Sequence, residues 1–236
     1  MQPFFSVIIP TYSRPAELER AVKSVLSQTF SDFEIIIVNN ADEEINLSFN
    51  DSRIKLFYEK RRGANFSRNT GIENSLANFI CFLDDDDEYL SNHLNTFHDF
   101  ILKHNKEVAF YRTFTNVETA GKIENQKIKL KEENETSLEH FYTTMMVMHC
   151  ACVHRNILSE IKFDTSVPVA QDYNLWTRIL IRYPLYETPV ITTIYHKSEN
   201  SISTPNLKTL ENYYRGRECC LAWPPHNIPH CLGCLR

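Results

Sequence analysis

Residues 79–88 read FICFLDDDDE, an apolar run that passes directly into five carboxylates. Five apolar residues bounded by polar ones predict a short buried strand. The carboxylates stand where that strand ends, and their mutual repulsion calls for a positive partner. A divalent cation such as Mg²⁺ or Mn²⁺ suits this role because hard ions prefer carboxylate oxygen; a solvated acidic turn is the alternative. Because side chains alternate along an extended chain, Asp84 and Asp86 share one side.

Three further strands are predicted upstream, over residues 4–10 (FFSVIIP), 33–40 (FEIIIVNN) and 53–59 (RIKLFYE). A helix that begins at Pro15 separates the first two, and its apolar residues recur with helical spacing at Leu18, Ala21, Val22, Val25 and Leu26. A weaker helix covers residues 65–78, and Ser91 is placed to cap another one after the acidic run. This alternation predicts an α/β fold, with a mainly parallel central sheet flanked by helices.

Polar residues follow three of these strands where each one ends. They form PTYSR at 10–14, NNAD at 39–42 and DDDDE at 84–88. Open α/β sheets bind their ligands in the crevice beyond the carboxyl ends of the strands. We therefore expect the three segments to converge on one site.

The second half of the chain has a less regular pattern. Strands are predicted at residues 108–114 and 190–196, helices at 171–182 and 205–222, and a hairpin or loop at Gly121. The segment at 142–154 (YTTMMVMHCACVH) fits a helix and a strand about equally well, so it stays unassigned.

Composition excludes several classes of protein. The five glycines do not fit the spacing of a dinucleotide fingerprint or a P-loop. A net charge of −5, with no basic run longer than residues 60–62, argues against nucleic acid as a partner. No apolar stretch is long enough to span a bilayer, and the N-terminus lacks the basic and small residues of a signal peptide. We expect a cytoplasmic protein, and leave open a peripheral contact with the inner face of a membrane.

Four motifs together resemble a known family. SVIIPTYSR (6–14), SVLSQTFSDFEIIIVNNAD (24–42), GANFSRNTGIENSLANFICFLDDDDEYL (63–90) and AQDYNLWTRI (170–179) follow the order and spacing of motifs in the family 2 inverting glycosyltransferases, which have the GT-A fold. The likeness is strong over about residues 4–100 and weaker over 150–203.

The resemblance implies a metal-dependent enzyme that moves a sugar from a nucleotide diphosphate sugar, with a UDP-sugar favoured, to a hydroxyl acceptor. The acceptor would be a carbohydrate or a lipid-linked molecule, and the product a surface polysaccharide or glycan. Residues 1–115 would form the nucleotide-sugar-binding half of one domain, and 116–204 its acceptor-binding and catalytic half. The residue pattern, and not the resemblance, predicts a C-terminal helix and a cysteine-rich tail over residues 205–236.

The same resemblance implies roles for individual residues. Asp86 would be the main ligand of Mn²⁺ or Mg²⁺, with Asp85 and Asp87 as alternatives, and Asp172 would be the general base. His196 and Lys197 would belong to a loop that covers the diphosphate, unless that loop is an ordinary surface loop. The implied nucleotide-binding residues are Pro10, Thr11, Tyr12, Asn40, Arg68, Asp84 and Asp85.

Two departures from the family pattern replace a carboxylate by an amide. Asn40 stands where an aspartate usually contacts the base, and Gln171 stands where a glutamate usually precedes the catalytic aspartate. An amide donates as well as accepts, so the identity of the base is open. The departures also suggest a non-catalytic nucleotide- or sugar-binding relative, although the retained Asp86 and Asp172 favour an enzyme. A nucleotidyltransferase could use similar chemistry, but the glycine-rich phosphate loop usual in that class is absent.

The C-terminal tail is rich in cysteine. A C-x-x-C pair at Cys231 and Cys234 lies near further zinc-ligand types, which are Cys219, Cys220, His226 and His230. The tail lacks the two well-spaced ligand pairs of a zinc finger. A tail that packs against the domain or faces a partner is therefore the alternative to a zinc site.

Overall fold

The computed structural model describes residues 2–144, 146–168 and 170–197. Within them, nine strands join one sheet. The strands are β1 (Phe5–Thr11), β2 (Phe33–Asn39), β3 (Ile54–Tyr58), β4 (Phe79–Phe82), β5 (Glu88–Tyr89), β6 (Phe110–Thr119), β7 (Lys122–Glu124), β8 (Ala151–His154) and β9 (Leu185–Lys197). The helices are α1 (Pro15–Leu26), α2 (Ala64–Asn74), α3 (His93–Lys103), α4 (Ser137–Thr143), α5 (Arg155–Glu160) and α6 (Gln171–Leu180), with a 3-10 turn at Met148–Cys150.

The strands lie in the order β3-β2-β1-β4-β8-β6-β9-β5, and β7 pairs with β6. The first four are parallel to one another. β8 is antiparallel to both β4 and β6, so β6 and its parallel neighbour β9 run in the same direction as β4. The prediction of an α/β fold with a central sheet that is largely parallel and flanked by helices is confirmed. The antiparallel β5, β7 and β8 were not predicted.

The central strands are apolar on both faces because the sheet is covered on both faces. Alternate residues of β1 enter different cores: Ile8 packs with Ile72 and Trp176 on one side, whereas Val7 and Ile9 pack on the other. The second core also contains the apolar stripes of two helices. These are Leu18, Ala21, Val22 and Val25 of α1, and Leu94, Phe97 and Ile101 of α3. The predicted face of α1 is therefore the buried face.

Several local predictions need correction. Ser91 does not cap α3; the N-cap is Asn92, and its side chain makes no capping hydrogen bond. α2 ends at Asn74, before the predicted 78, because Ser75 turns to an extended conformation. The unassigned segment contains the end of α4, the 3-10 turn and β8. The turn at Gly121 is a hairpin between β6 and β7, and its φ of 80° suits glycine. The predicted helix at 205–222 and the cysteine-rich tail lie outside the described residues.

At Gly71, α2 lies close against β1. An ideal Cβ at Gly71 would lie 2.4 Å from Cγ2 of Ile8. This methyl group belongs to a buried, β-branched side chain that has little room to move. We expect Gly71→Ala to destabilise the fold by about 1–3 kcal/mol, because overpacking outweighs the gain in helix propensity. Urea denaturation measures this change.

Gly121→Ala is the matched control. Nothing lies within 4 Å of a Cβ at that position, so only the positive φ opposes the substitution, at about 1 kcal/mol. A Gly71→Ala protein as stable as the wild type would contradict the close approach.

Candidate active site

A cavity of about 540 Å³ opens at the carboxyl ends of β1, β2 and β4. β1 lies between β2 and β4, so the chain changes direction across the sheet at β1, which is where open α/β sheets form their ligand crevice. The residues named from the sequence that line it are Pro10, Thr11, Tyr12, Asn40, Arg68, Asp84, Asp85, Asp86, Asp87, Gln171 and Asp172. The three polar segments therefore meet, and α6 brings Asp172 to the same cavity.

The acidic run alternates between inward and outward side chains. Asp85 and Asp87 are 6% and 2% exposed, whereas Asp84 and Asp86 are half-buried. Oδ2 of Asp85 accepts a hydrogen bond from Oγ1 of Thr11 at 2.8 Å. One inward carboxylate is thus held against β1, and the half-buried Asp84 and Asp86 line the cavity. Residues 85 and 86 form a turn, so the extended chain from which a common side was predicted for Asp84 and Asp86 is not present.

Arg14 is a site residue that the sequence analysis did not identify. Its Nη1 lies 2.7 Å from Oδ2 of Asp86 and 3.2 Å from Oδ1 of Asp85. This guanidinium, which is about half exposed, neutralises part of the acidic turn. The position of Arg14 at the end of the PTYSR segment could have identified it. A cation that follows one strand can reach carboxylates that follow the neighbouring strand.

Arg68 links the acidic turn to the first turn of α6. It is buried, and its two terminal nitrogens donate to Oδ1 of Asp84 at 2.5 Å and to Oε1 of Gln171 at 2.7 Å. Nε2 of Gln171 donates in turn to the carbonyl oxygen of Pro168 at 3.2 Å. A glutamate could not make this last bond, so the amide fixes the loop that leads into α6.

The side chain of Asn40 fixes the loop that joins β3 to α2. Its Nδ2 donates to the carbonyl oxygens of Glu59 and Arg61, at 2.6 and 2.8 Å. Its Oδ1 accepts from the backbone N–H of Gly63 at 2.8 Å. The donor capacity of this amide is therefore directed to the backbone of the chain itself.

His196 and Lys197 are not among the residues that line the cavity. The His196 ring lies between two carboxylates, 2.7 Å from Oε1 of Glu88 and 2.9 Å from Oε2 of Glu118. Lys197 is exposed at the end of β9, opposite Thr119 of β6. A role for either residue at a diphosphate stays a prediction.

Burial and crowding shift several pKa values in the cavity. Burial raises the pKa of Asp85 to about 6, against the opposing effects of Thr11 and Arg14. Burial, together with the charges of Asp87 and Asp84, also raises the pKa of Asp86. Burial likewise raises the pKa of Asp172, although the Tyr173 N–H and Arg68 oppose the shift. The surroundings of these three carboxyl groups thus favour their protonated forms.

These carboxylates fit a divalent cation whose coordination is completed by the phosphate oxygens of a bound ligand. In the part of the chain that the structure describes, no three His, Cys, Asp or Glu side chains converge closely enough to form a metal cage. Mg²⁺ and similar ions are commonly bound through one or two carboxylates plus phosphate oxygens and water. The outward Asp84 and Asp86 suit that arrangement.

Over the residues that the structure describes, no helix combines the length and the apolar character that crossing a bilayer requires.

The chain belongs to glycosyl transferase family 2, whose family model matches residues 6–162. Escherichia coli WfgD, a UDP-Glc:alpha-D-GlcNAc-diphosphoundecaprenol beta-1,3-glucosyltransferase, is 28% identical over 219 residues, which cover 89% of this chain and 83% of WfgD. A Campylobacter jejuni GalNAc(5)-diNAcBac-PP-undecaprenol beta-1,3-glucosyltransferase is 42% identical over 102 residues, 40% of this chain and 33% of that protein. An uncharacterized glycosyltransferase of Rickettsia conorii is 26% identical over 92% of this chain. The chain spans about a third of the length of the latter two relatives.

Solved structures of low sequence identity share the fold. S. aureus TarS in complex with UDP-GlcNAc superposes with a TM-score of 0.69 at 16% identity, covering 90% of this chain and 65% of TarS. The mannosyltransferase PcManGT from Pyrobaculum calidifontis, in complex with GDP-Man and Mn²⁺, gives 0.61 at 15% identity over 85% of this chain and 59% of its own. The expected GT-A fold is confirmed.

The buried charge of Asp85 gives a prediction for stability. Because its pKa is raised from 3.8 to about 6, the folded state favours the protonated form, and stability is lost as the pH rises through this window. Asp85→Asn removes that loss. Without cation or nucleotide, we expect the variant to be more stable than the wild type at pH 8, by up to about 3 kcal/mol, and the two to converge near pH 4. Urea denaturation at both pH values measures the difference.

Glu59→Gln is a control of opposite sign. Hydrogen bonds from Arg61 and Thr70 lower the pKa of Glu59 to about 2, so its contribution is present above pH 4.5 and is lost as the pH falls towards 2. This variant should be less stable than the wild type at pH 8, with a deficit that shrinks in acid. An Asp85→Asn protein less stable than the wild type at pH 8 would contradict the raised pKa of Asp85.

Proposed function

We propose that the protein is a metal-dependent inverting glycosyltransferase. It transfers a sugar from a nucleotide diphosphate sugar, with a UDP-sugar favoured, to a hydroxyl of a carbohydrate or lipid-linked acceptor, in the synthesis of a surface polysaccharide or glycan. The observation that carries the proposal is that one cavity contains both the outward carboxylates of the acidic turn and Asp172. Donor binding and proton removal can therefore take place side by side.

The donor half of the cavity has the chemistry for a nucleotide diphosphate. The volume of the whole cavity lies in the range of cavities that bind small molecules. Pro10, Thr11, Tyr12 and Asn40 form the wall on which the proposal places the nucleoside. Asp86, with Asp84 beside it, would hold Mn²⁺ or Mg²⁺. When bound, the cation neutralises charge that develops on the departing diphosphate.

The choice of donor and cation is supported by the neighbours. WfgD is named for UDP-Glc, TarS is solved with UDP-GlcNAc, and PcManGT is solved with GDP-Man and Mn²⁺. Arg14 and Arg68 add positive charge beside the acidic turn, where diphosphate oxygens would lie. Lys197, at the end of β9, stays a candidate for a covering loop.

Asp172 is the proposed general base. Its Oδ1 accepts a hydrogen bond from the Tyr173 N–H at 2.8 Å, which orients the carboxylate at the start of α6. A raised pKa makes this carboxylate a stronger base. The acceptor oxygen forms a bond to the anomeric carbon while the bond from that carbon to the diphosphate oxygen breaks. Asp172 takes the proton of the acceptor hydroxyl, and this single displacement inverts the anomeric carbon.

The nature of the acceptor bears on location. The names of WfgD and of the Campylobacter relative both specify undecaprenol-linked acceptors. An acceptor of that kind would bring this chain into peripheral contact with the cytoplasmic face of a membrane. A soluble carbohydrate acceptor would not.

Metal-dependent release of UDP from a UDP-sugar tests the proposal. We expect Asp172→Asn to lower the rate of transfer by about 10²- to 10⁴-fold, because the base is lost. The affinity for UDP in the presence of Mn²⁺, measured by thermal shift, should stay within twofold of the wild-type value. Asparagine can still accept the hydrogen bond from the Tyr173 N–H. Chelation with EDTA should abolish release.

Asp164→Asn is the matched control. Asp164 accepts hydrogen bonds from Ser166 in the segment before α6, and it does not line the cavity. That variant should keep the wild-type rate. Full activity in Asp172→Asn would rule out its role as the base, and full activity in EDTA would rule out the metal.

A further inference from the structure

The acidic turn ends in a buried ion pair. Oδ2 of Asp87 lies 2.7 Å from Nδ1 of His149, and the two residues are 2% and 0% exposed. His149 belongs to the 3-10 turn before β8, so the pair joins two segments that are far apart in sequence. Both residues line the cavity.

Further contacts fix both members of the pair. Oδ1 of Asp87 accepts the backbone N–H of His196, on β9, at 2.9 Å. Nε2 of His149 lies 3.2 Å from Oγ1 of Thr115, on β6, and the ring stacks on Tyr195 at 5.9 Å between centroids. Asp87 is thereby attached directly to β9 and to the 3-10 turn, and through His149 to β6.

Asp87 also closes the turn that presents the other carboxylates. Its backbone N–H donates to the carbonyl oxygen of Asp84 at 3.1 Å, which makes residues 84–87 a β-turn with Asp85 and Asp86 at its centre. An anchor on the last residue of a four-residue turn fixes the orientation of the whole turn. The direction in which Asp86 points therefore depends on the position of Asp87.

We propose that the Asp87–His149 pair positions the acidic turn for cation binding, and that Asp87 is not itself a cation ligand. An imidazole and a backbone amide already occupy its two carboxylate oxygens. The pair also places an imidazole, rather than another carboxylate, against one of four adjacent carboxylates. The inference rests on the proposed function in that the cation is the one held by Asp86.

The experiment titrates the protein with Mn²⁺ in the presence of UDP. The electron paramagnetic resonance signal of free Mn²⁺ measures how much of the ion is bound. It needs no acceptor and no turnover. We expect Asp87→Asn and His149→Gln each to weaken Mn²⁺ binding by about 10- to 100-fold, the usual effect of losing a residue that orients a metal ligand. Because the two act as one unit, the double variant should be little worse than either single variant.

Two further variants separate positioning from stability. His140→Gln removes a different buried histidine, 3.0 Å from Oε2 of Glu187 and outside the cavity. It should lower the melting temperature but leave Mn²⁺ affinity unchanged. Thr115→Val removes only the hydroxyl beside Nε2 of His149, so it should weaken Mn²⁺ binding by a smaller factor even if the charged-pair variants do not fold.

The other outcomes overturn one proposal or the other. Loss of Mn²⁺ binding in Asp87→Asn with wild-type affinity in both His149→Gln and Thr115→Val would make Asp87 a direct ligand. Unchanged affinity in all variants would reduce the pair to a stabilising contact. A wild-type protein that fails to bind Mn²⁺ with UDP would defeat both proposals. Binding without any sugar transfer would defeat the proposed function alone.

Discussion

Repulsion among four adjacent carboxylates at the end of β4 is the constraint around which the site is built. The strand is buried on both faces, so the turn that follows it cannot simply spread into solvent. Each carboxylate is instead matched by a group from another element: Arg68 from α2, Arg14 and Thr11 from the end of β1, and His149 from the 3-10 turn. The turn is therefore ordered by partners from both halves of the sheet.

The close packing of α2 on the sheet carries this constraint to the α6 side of the cavity. Gly71 lets the helix approach β1, and Arg68 lies one turn earlier on the same helix. At that depth its buried guanidinium reaches Asp84 on one side and Gln171 on the other. A packing feature of the core thus sets the distance between the acidic turn and the start of α6, where Asp172 lies.

The sequence was sufficient where local pattern and topology determine the structure. The apolar strands and the stripe of α1 gave the parallel half of the fold, and the rule for strand ends brought three polar segments together. It was insufficient where contacts span long separations. His149 lies in a segment with no clear period, and its partner is 62 positions away in the chain. Ser91 offered a good capping side chain, yet the N-cap of α3 is Asn92, whose side chain makes no capping hydrogen bond.

The two amides that depart from the family pattern have a common physical explanation. A carboxylate at position 40 or 171 could accept hydrogen bonds but could not donate them. Asn40 donates to two backbone carbonyls beside α2, and Gln171 donates to the carbonyl oxygen of Pro168 before α6. Each amide fixes a loop at the edge of the cavity, and neither adds negative charge to a space already crowded with aspartates. Their presence is thus compatible with a working enzyme, because Arg68, Asp86 and Asp172 still line the cavity beside them.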